Sequence, residues 1–374
     1  MKSIKFVIFL FLLLFISSAA FAADKPVWTV GYKKFNLSNF DPPYRTYEVQ
    51  VAPDNKILIN FIEHRSQNKL ATKKTLDKSD TFFVVLLLSN KNGELIRRIE
   101  WPVTDDSVPT WRRGFDSRIY PLLSGGYVAL INGHLQVLDL SFSVIYDRVL
   151  DALENSRYDI IVPLSGKYFI LNRLYTQLKG SSEIIDSRTF ETIERFDAPP
   201  DYRIVDIWED QLLSISFSSD NSERRFSKRK INTSQWNDLE LVQGERAEAR
   251  FIYNGAIVVR DNIGRMPDIK TFWFIVEDGK KSEPVFSGLG LKFPSKASVV
   301  MTARSYLAGI RRAFDLFSKN WFEVYDFRNH KVLLETKKHT DIADHAISPD
   351  GDSIIIMTKK KIEFYSVNSK RIRS

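Results

Sequence analysis

The chain has 374 residues, a formal net charge of +8, five histidines and no cysteine. Disulfides, thiolate metal sites, a cysteine nucleophile and a cysteine-linked lipid anchor are therefore excluded. Aromatic residues reach 13% and no low-complexity linker interrupts the sequence, which fits one folded domain.

Residues 1–22 read as a secretory signal. Lys2 and Lys5 give a basic start, residues 6–16 an apolar run, and Ala20-Phe21-Ala22 a small-x-small cleavage site. The run is shorter than the ~20 apolar residues of an ordinary membrane span, and no later stretch is long and apolar enough to be one. Most secreted eukaryotic domains of this size carry disulfides. Export of a cysteine-free chain thus favours a bacterial route and a periplasmic or secreted product that is not a lipoprotein. The expected division is a signal peptide over 1–22 and a single domain over 23–374.

Beyond the signal the sequence repeats a simple unit: an apolar stretch, a short polar turn, then a second apolar stretch. The turns fall at Pro53-Asp54-Asn55, Ser124-Gly125-Gly126, Ser165-Gly166, Trp208-Glu209-Asp210, Asn254-Gly255, Pro294-Ser295-Lys296 and Pro349-Asp350-Gly351. From the second unit to the sixth they recur at roughly 40–45 residues, the period of a four-stranded propeller blade. A single core usually splits beyond ~250–300 residues. Radial repetition avoids that limit, because each blade packs only on its neighbours.

Taken in order, the second unit is expected to hold strands over 118–123, 127–131, 135–140 and 144–149, with Asn132-Gly133 as a hairpin turn that needs positive φ. Further third strands are expected over 81–88, 183–187, 271–277 and 321–327; the strands are rich in Val, Ile, Phe, Tyr and Leu, and many alternate apolar with polar, as in Ile362-Glu363-Phe364-Tyr365. Only residues 306–317, inside the sixth unit, suggest a helix. The last unit has three strands, 345–348, 353–358 and 362–367. A blade without its outer strand would leave an open edge, and residues 27–32 can supply it. The expected fold is an all-β, seven-bladed β-propeller closed by pairing of its N- and C-terminal strands, with six or eight blades as the alternatives.

The stretch 345–367, with Ser348-Pro349-Asp350-Gly351 at its turn, resembles the strand–turn–strand units of the YVTN, TolB-like and WD-repeat propellers. The Trp-Asp signature of true WD repeats is missing from the blade ends. The resemblance implies a propeller and a binding platform for a ligand or protein. It implies no particular reaction, because function resides in a site rather than a fold.

Three groups of residues are candidates for function. The first lies in the segments between second and third strands, which emerge on one face of a propeller. Five are long: 63–80, 172–182, 219–230, 260–270 and 304–320. Together they hold 19 Lys or Arg against 8 Asp or Glu. Lys69, Lys73, Lys74, Tyr175, Arg224, Arg225, Phe226, Lys228, Arg229, Lys230, Arg311 and Arg312 are the expected binding residues of a basic loop face. Such a face attracts anionic glycans, lipid headgroups or an acidic protein; export argues against nucleic acid. The same charge pattern also suits a merely solvated surface.

The second group is His339, Asp341, Asp344 and His345, where the chain enters an innermost strand. Imidazole and carboxylate together suit acid–base work at a channel mouth. Their spacing matches no metal motif, and structural hydrogen bonding at a blade junction is the competing reading. The third is the polar content of the inner strands, Glu48, Arg118, Asp159, Arg203, Asp206 and Arg250, facing the channel. No calcium loop, phosphate loop or Gly-x-Ser-x-Gly elbow occurs.

The expected function is an exported, non-catalytic platform, monomeric and without cofactor or metal, that binds an anionic ligand or acidic partner. The alternatives are a lactonase-like hydrolase or lyase at the channel mouth and a subunit of a periplasmic redox assembly.

Overall fold

Short runs of alternating apolar and polar residues can bury their apolar faces only by stacking sheets on one another. In the computed structural model of the protein this produces seven antiparallel sheets arranged as seven blades. The structure describes residues 24–35, 48–64, 81–103, 117–151, 157–174, 180–196, 202–217, 224–244, 248–252, 255–263, 270–277, 280–282, 286–287, 289–294, 299–305, 320–339 and 342–367. The signal segment, the candidate helix at 306–317, and Lys69, Lys73, Lys74, Tyr175, Arg311, Arg312 and Asp341 lie outside these residues.

Blades 1 to 7 are numbered from their innermost strands: Glu48–Val51, Arg118–Pro121, Arg157–Ile161, Tyr202–Trp208, Glu248–Phe251, Leu289–Lys292 and Ile342–Ile347. Blades 1 to 4 and blade 6 each continue outward through three more strands in chain order. In blade 5 the outer position is shared by two short strands, Lys280–Lys281 and Phe286–Ser287, both paired with Lys270–Glu277. Asn132 and Gly133 of blade 2 have φ of 51° and 76°, as its hairpin turn requires.

Blade 7 closes the ring. It has strands Ile342–Ile347, Ser353–Thr358 and Lys361–Ser366 from the C-terminal part of the chain, and Trp28–Gly31 as its outermost strand. Trp28 pairs with Phe364 and Gly31 with Lys361, antiparallel. The expected N-to-C closure and the count of seven are thus both observed.

The core is divided rather than central. Among the described residues seven apolar clusters occur, one at each junction between neighbouring blades. At about 1.5–3 kcal/mol for each fully buried Leu, Ile, Val or Phe, these clusters supply the main stabilisation. Inner strands have one unpaired edge, so their backbone groups need other partners. Side chains of neighbouring blades provide several. Asp344 Oδ2 accepts from Val49 N at 2.8 Å, and Asp206 Oδ2 from Phe251 N at 2.8 Å. Gln50 Nε2 donates to Ile119 O at 3.0 Å, and Asn172 Nδ2 to Ile204 O at 3.3 Å.

One expectation is corrected. The basic run placed in a loop over 219–230 is a strand from Arg224 onward: Arg224–Lys230 is the third strand of blade 4 and pairs with Gln211–Phe217. Strand periodicity explains the change, because alternate side chains leave the surface. Phe226 is buried in the cluster between blades 4 and 5. Arg229 turns toward blade 3, forming an ion pair with Glu194 at 2.6 Å and lying 4.5 Å from the Phe196 ring centroid. Arg225, Lys228 and Lys230 are exposed. Lys230 pairs with Gln211 beside the first turn of the blade, whereas Arg224 pairs with Phe217 at the opposite end. The run therefore crosses the blade from one face of the ring to the other.

Candidate functional site: the central channel

The first turns of five blades share one hydrogen bond. The carbonyls of Ala52, Leu122, Pro163, Ile252 and Ser348 accept from the N–H three residues later. Counting back four residues from each gives Glu48, Arg118, Asp159, Glu248 and Asp344, one charged residue per inner strand. In blade 4 the matching residue by sheet register is Arg203, which pairs with Ile215 as Glu48 pairs with Asn60. Blade 6 places Lys292 toward the channel at the end of its inner strand. Around the ring the charges alternate: Glu48, Arg118, Asp159, Arg203, Glu248, Lys292, Asp344. Seven is odd, so the alternation fails once. It fails between Asp344 and Glu48, where blades 7 and 1 meet.

Arg118 and Asp159 span blades 2 and 3 with a contact of 2.8 Å. On the side of the second-to-third-strand connections, a cavity of about 450 Å³ is walled by blades 2 to 5. Arg118, Arg203, Arg224 and Arg250 face it, against the carboxylates of Asp159 and Glu248. Toward the first turns the channel opens into a cavity of about 560 Å³. Glu48, Gln50, Tyr120, Lys292 and Asp344 form its polar wall, with Phe293 and Ile347 on the apolar rim.

Burial raises the Glu48 carboxyl above the ordinary carboxylate range; Arg118 and Lys292 oppose this, while Asp344 and Asp159 reinforce it. Burial likewise raises Tyr120, with Glu48 adding to the effect. Asp206 is fully enclosed, and burial pushes its carboxyl up to about 6 against Arg250 and two backbone N–H groups.

The His339 group divides. His339 is buried between blades 6 and 7 and is not at the channel mouth. Its Nδ1 lies 3.3 Å from Glu363 Oε2, and its ring meets Tyr365 edge-on. Burial lowers its pKa, with Lys337 and Lys361 adding to that and Glu363 opposing it. Glu363 is itself fully buried, held by Lys337 at 2.8 Å and Lys361 at 2.7 Å. Asp344 faces blade 1, while the His345 ring lies 4.9 Å from that of Phe322. His339 and Asp344 are thus not brought together: His339 lies in the junction between blades 6 and 7, while Asp344 is turned to blade 1. Among the described residues no group of three or more His, Asp or Glu is placed to hold a metal ion.

Sequence reasoning passed over Tyr120, Glu248 and Lys292. The recurring charge four residues before the turn carbonyl was the signal that points to Glu248. Tyr120 and Lys292 have no such marker, since their roles depend on how the ring closes.

The fold and channel define a seven-bladed β-propeller. No protein-family model and no curated protein matches the sequence. Solved structures do match in fold. The propeller domain of the Trilobed protease from Pyrococcus furiosus, described as having an open velcro topology, aligns at TM-score 0.56 and 9% identity, over 87% of this chain and 98% of that one. The Neurospora crassa Pan2 WD40 domain aligns at 0.50 and 11%, over 91% and 95%. A chain of Kuenenia stuttgartiensis hydrazine synthase aligns at 0.50 and 9%, over 88% and 97%. At such identities the likeness is one of fold alone. Among the described residues no helix is long and apolar enough to cross a membrane.

Proposed function

We propose that this protein is an exported, non-catalytic propeller that binds an anionic partner on the face carrying its second-to-third-strand connections. The observation that carries the reading is the 450 Å³ cavity on that side, where four guanidinium groups face two carboxylates. Planar guanidinium groups suit carboxylate, sulfate and phosphate oxygens. The sequence adds a second contribution, because the connections over 65–80 and 306–319 hold eight Lys or Arg against three Asp.

Chromatography on a sulfated glycan such as heparin tests the reading. The wild-type protein is expected to elute at elevated salt. Replacing Lys69, Lys73, Lys74, Arg311 and Arg312 with Ser, and separately Arg224→Ser, should lower the eluting salt concentration while circular dichroism stays unchanged. Exposed charges are screened beyond about 8 Å at physiological ionic strength, so retention should fall steeply with salt. Elution of wild type and both variants at the same low salt would remove the basis of the proposal.

A further inference from the structure

The second cavity lies toward the other end of the channel and has a different chemistry. Its volume of about 560 Å³ falls within the range of small-molecule sites, roughly 300–1,000 Å³. Its rim is apolar, with Phe293 and Ile347 among its residues, and its polar wall is compact. That wall contains the one break in the alternating ring of inner-strand charges, between Glu48 and Asp344. The two carboxylates differ in what they already bind. Asp344 Oδ2 is occupied by Val49 N. Glu48 Oε2 is sealed from solvent and has no hydrogen-bond partner. A buried carboxylate oxygen without a donor is costly, by about 1–3 kcal/mol or more. Lys292 lines the same cavity but is exposed, so its ammonium group remains solvated.

We propose that this cavity is a binding site for a small organic amine, with the ammonium group beside the carboxylates of Glu48 and Asp344 and an apolar body against the rim. One positive charge placed there gives the two acidic neighbours the cation that an odd-numbered ring cannot supply. It also balances the polar wall, where two carboxylates face one lysine. An anion would meet both carboxylates, and a neutral molecule would leave the like-charged pair uncompensated. The site is distinct from the anionic face: it lies toward the first turns of the blades and shares only Tyr120 and Val162 with the other cavity's lining.

The experiment is calorimetric titration of the full-length mature protein with three probes of one shape: 2-phenylethylamine, 2-phenylethanol and 3-phenylpropionate. The amine should bind saturably, the alcohol at least about tenfold more weakly, as expected for loss of one charge-assisted hydrogen bond. The carboxylate should not bind. Glu48→Gln, which keeps shape and removes charge, should erase the preference for amine over alcohol. Lys292→Met changes an exposed residue and carries no folding risk; it should tighten amine binding and leave the alcohol unchanged. Equal binding of amine and alcohol by the wild type, absence of saturable amine binding, or an amine affinity unmoved by both substitutions would overturn the proposal.

Discussion

At the scale of single residues, the ring is tied together by carboxylates that do different work in similar places. Asp206 and Asp344 both cap a backbone N–H of the next blade's inner strand, each at 2.8 Å. Asp206 is the more enclosed, at 6% exposure. Because burial raises its pKa to about 6, the folded state holds the proton more tightly than the unfolded chain does. Its contribution to stability is therefore fully present below the unfolded value of about 3.9 and is lost as pH rises through 6. A shift of this size corresponds to about 3 kcal/mol. Asp206→Asn keeps one acceptor for Phe251 N but does not titrate. The difference in urea unfolding free energy between wild type and Asp206→Asn should thus move by about 2 kcal/mol from pH 4 to pH 7, against the wild type. A difference that stays flat over that range would show that Asp206 is not held in a desolvated state. Glu363 behaves oppositely: burial would raise its pKa, but Lys337, Lys361 and His339 outweigh it and leave it lowered.

At the scale of the strand, Arg224–Lys230 separates what a charge pattern reveals from what it conceals. Turn residues and runs rich in β-branched and aromatic residues were enough to place Thr81–Leu88 and Tyr127–Ile131 at the expected positions. Those segments are apolar, and their pairing partners hardly matter to the assignment. In the run Arg-Arg-Phe-Ser-Lys-Arg-Lys, five of seven residues are cationic, which read as solvated loop. The run is a strand because Phe226 enters one junction and Arg229 the other, where Glu194 and the rings of Phe196 and Trp236 receive it. Glu194 and Phe196 lie more than 30 residues away in the neighbouring blade, and Trp236 stands beyond the turn that ends the strand, so no strand-length pattern announces them. The inner-strand charges were partly legible for the converse reason: Glu48, Arg118 and Asp159 repeat at a fixed distance from a local turn. Their grouping into two cavities was not, since it follows from ring closure. The strand assignment predicts unequal effects within one charge cluster. Arg229→Ala leaves the Glu194 carboxylate without its buried partner and should cost about 3 kcal/mol. Lys228→Ala, on the exposed side of the same strand, should stay within about 0.5 kcal/mol. Denaturant unfolding of the two variants decides it; equal, small losses would return the segment to the loop reading.

At the scale of the molecule, stability depends on a join between the ends of the described chain. Trp28 stacks on Phe364 with ring centroids 5.3 Å apart, and its Nε1 donates to Asn90 O of blade 1 at 2.7 Å. Val30, Tyr32 and Phe35 continue the contact, sharing one apolar cluster with residues of blades 1 and 7. Tyr32 also donates to Thr358 O at 2.5 Å. Gly93 of blade 1 has φ of 69°, and a Cβ there would stand 2.6 Å from Val30 and 2.8 Å from Trp28. The segment 24–35 thus acts as a wedge between first and last blades as well as a fourth strand. Removing it would expose the edge of Lys361–Ser366 and the buried side chains of that cluster. A protein beginning at residue 36 should therefore melt at lower temperature and self-associate, and a synthetic peptide of residues 24–35 should restore the wild-type melting temperature. Gly93→Ala tests the same join without deletion: it combines a strained backbone with a clash against two wedge residues and should lower the melting temperature as well. A truncated protein that stays monomeric and melts with the wild type would mean that the ring holds without its closing strand. The seven junctions would then be close to independent, and the wedge would add little to the one it spans.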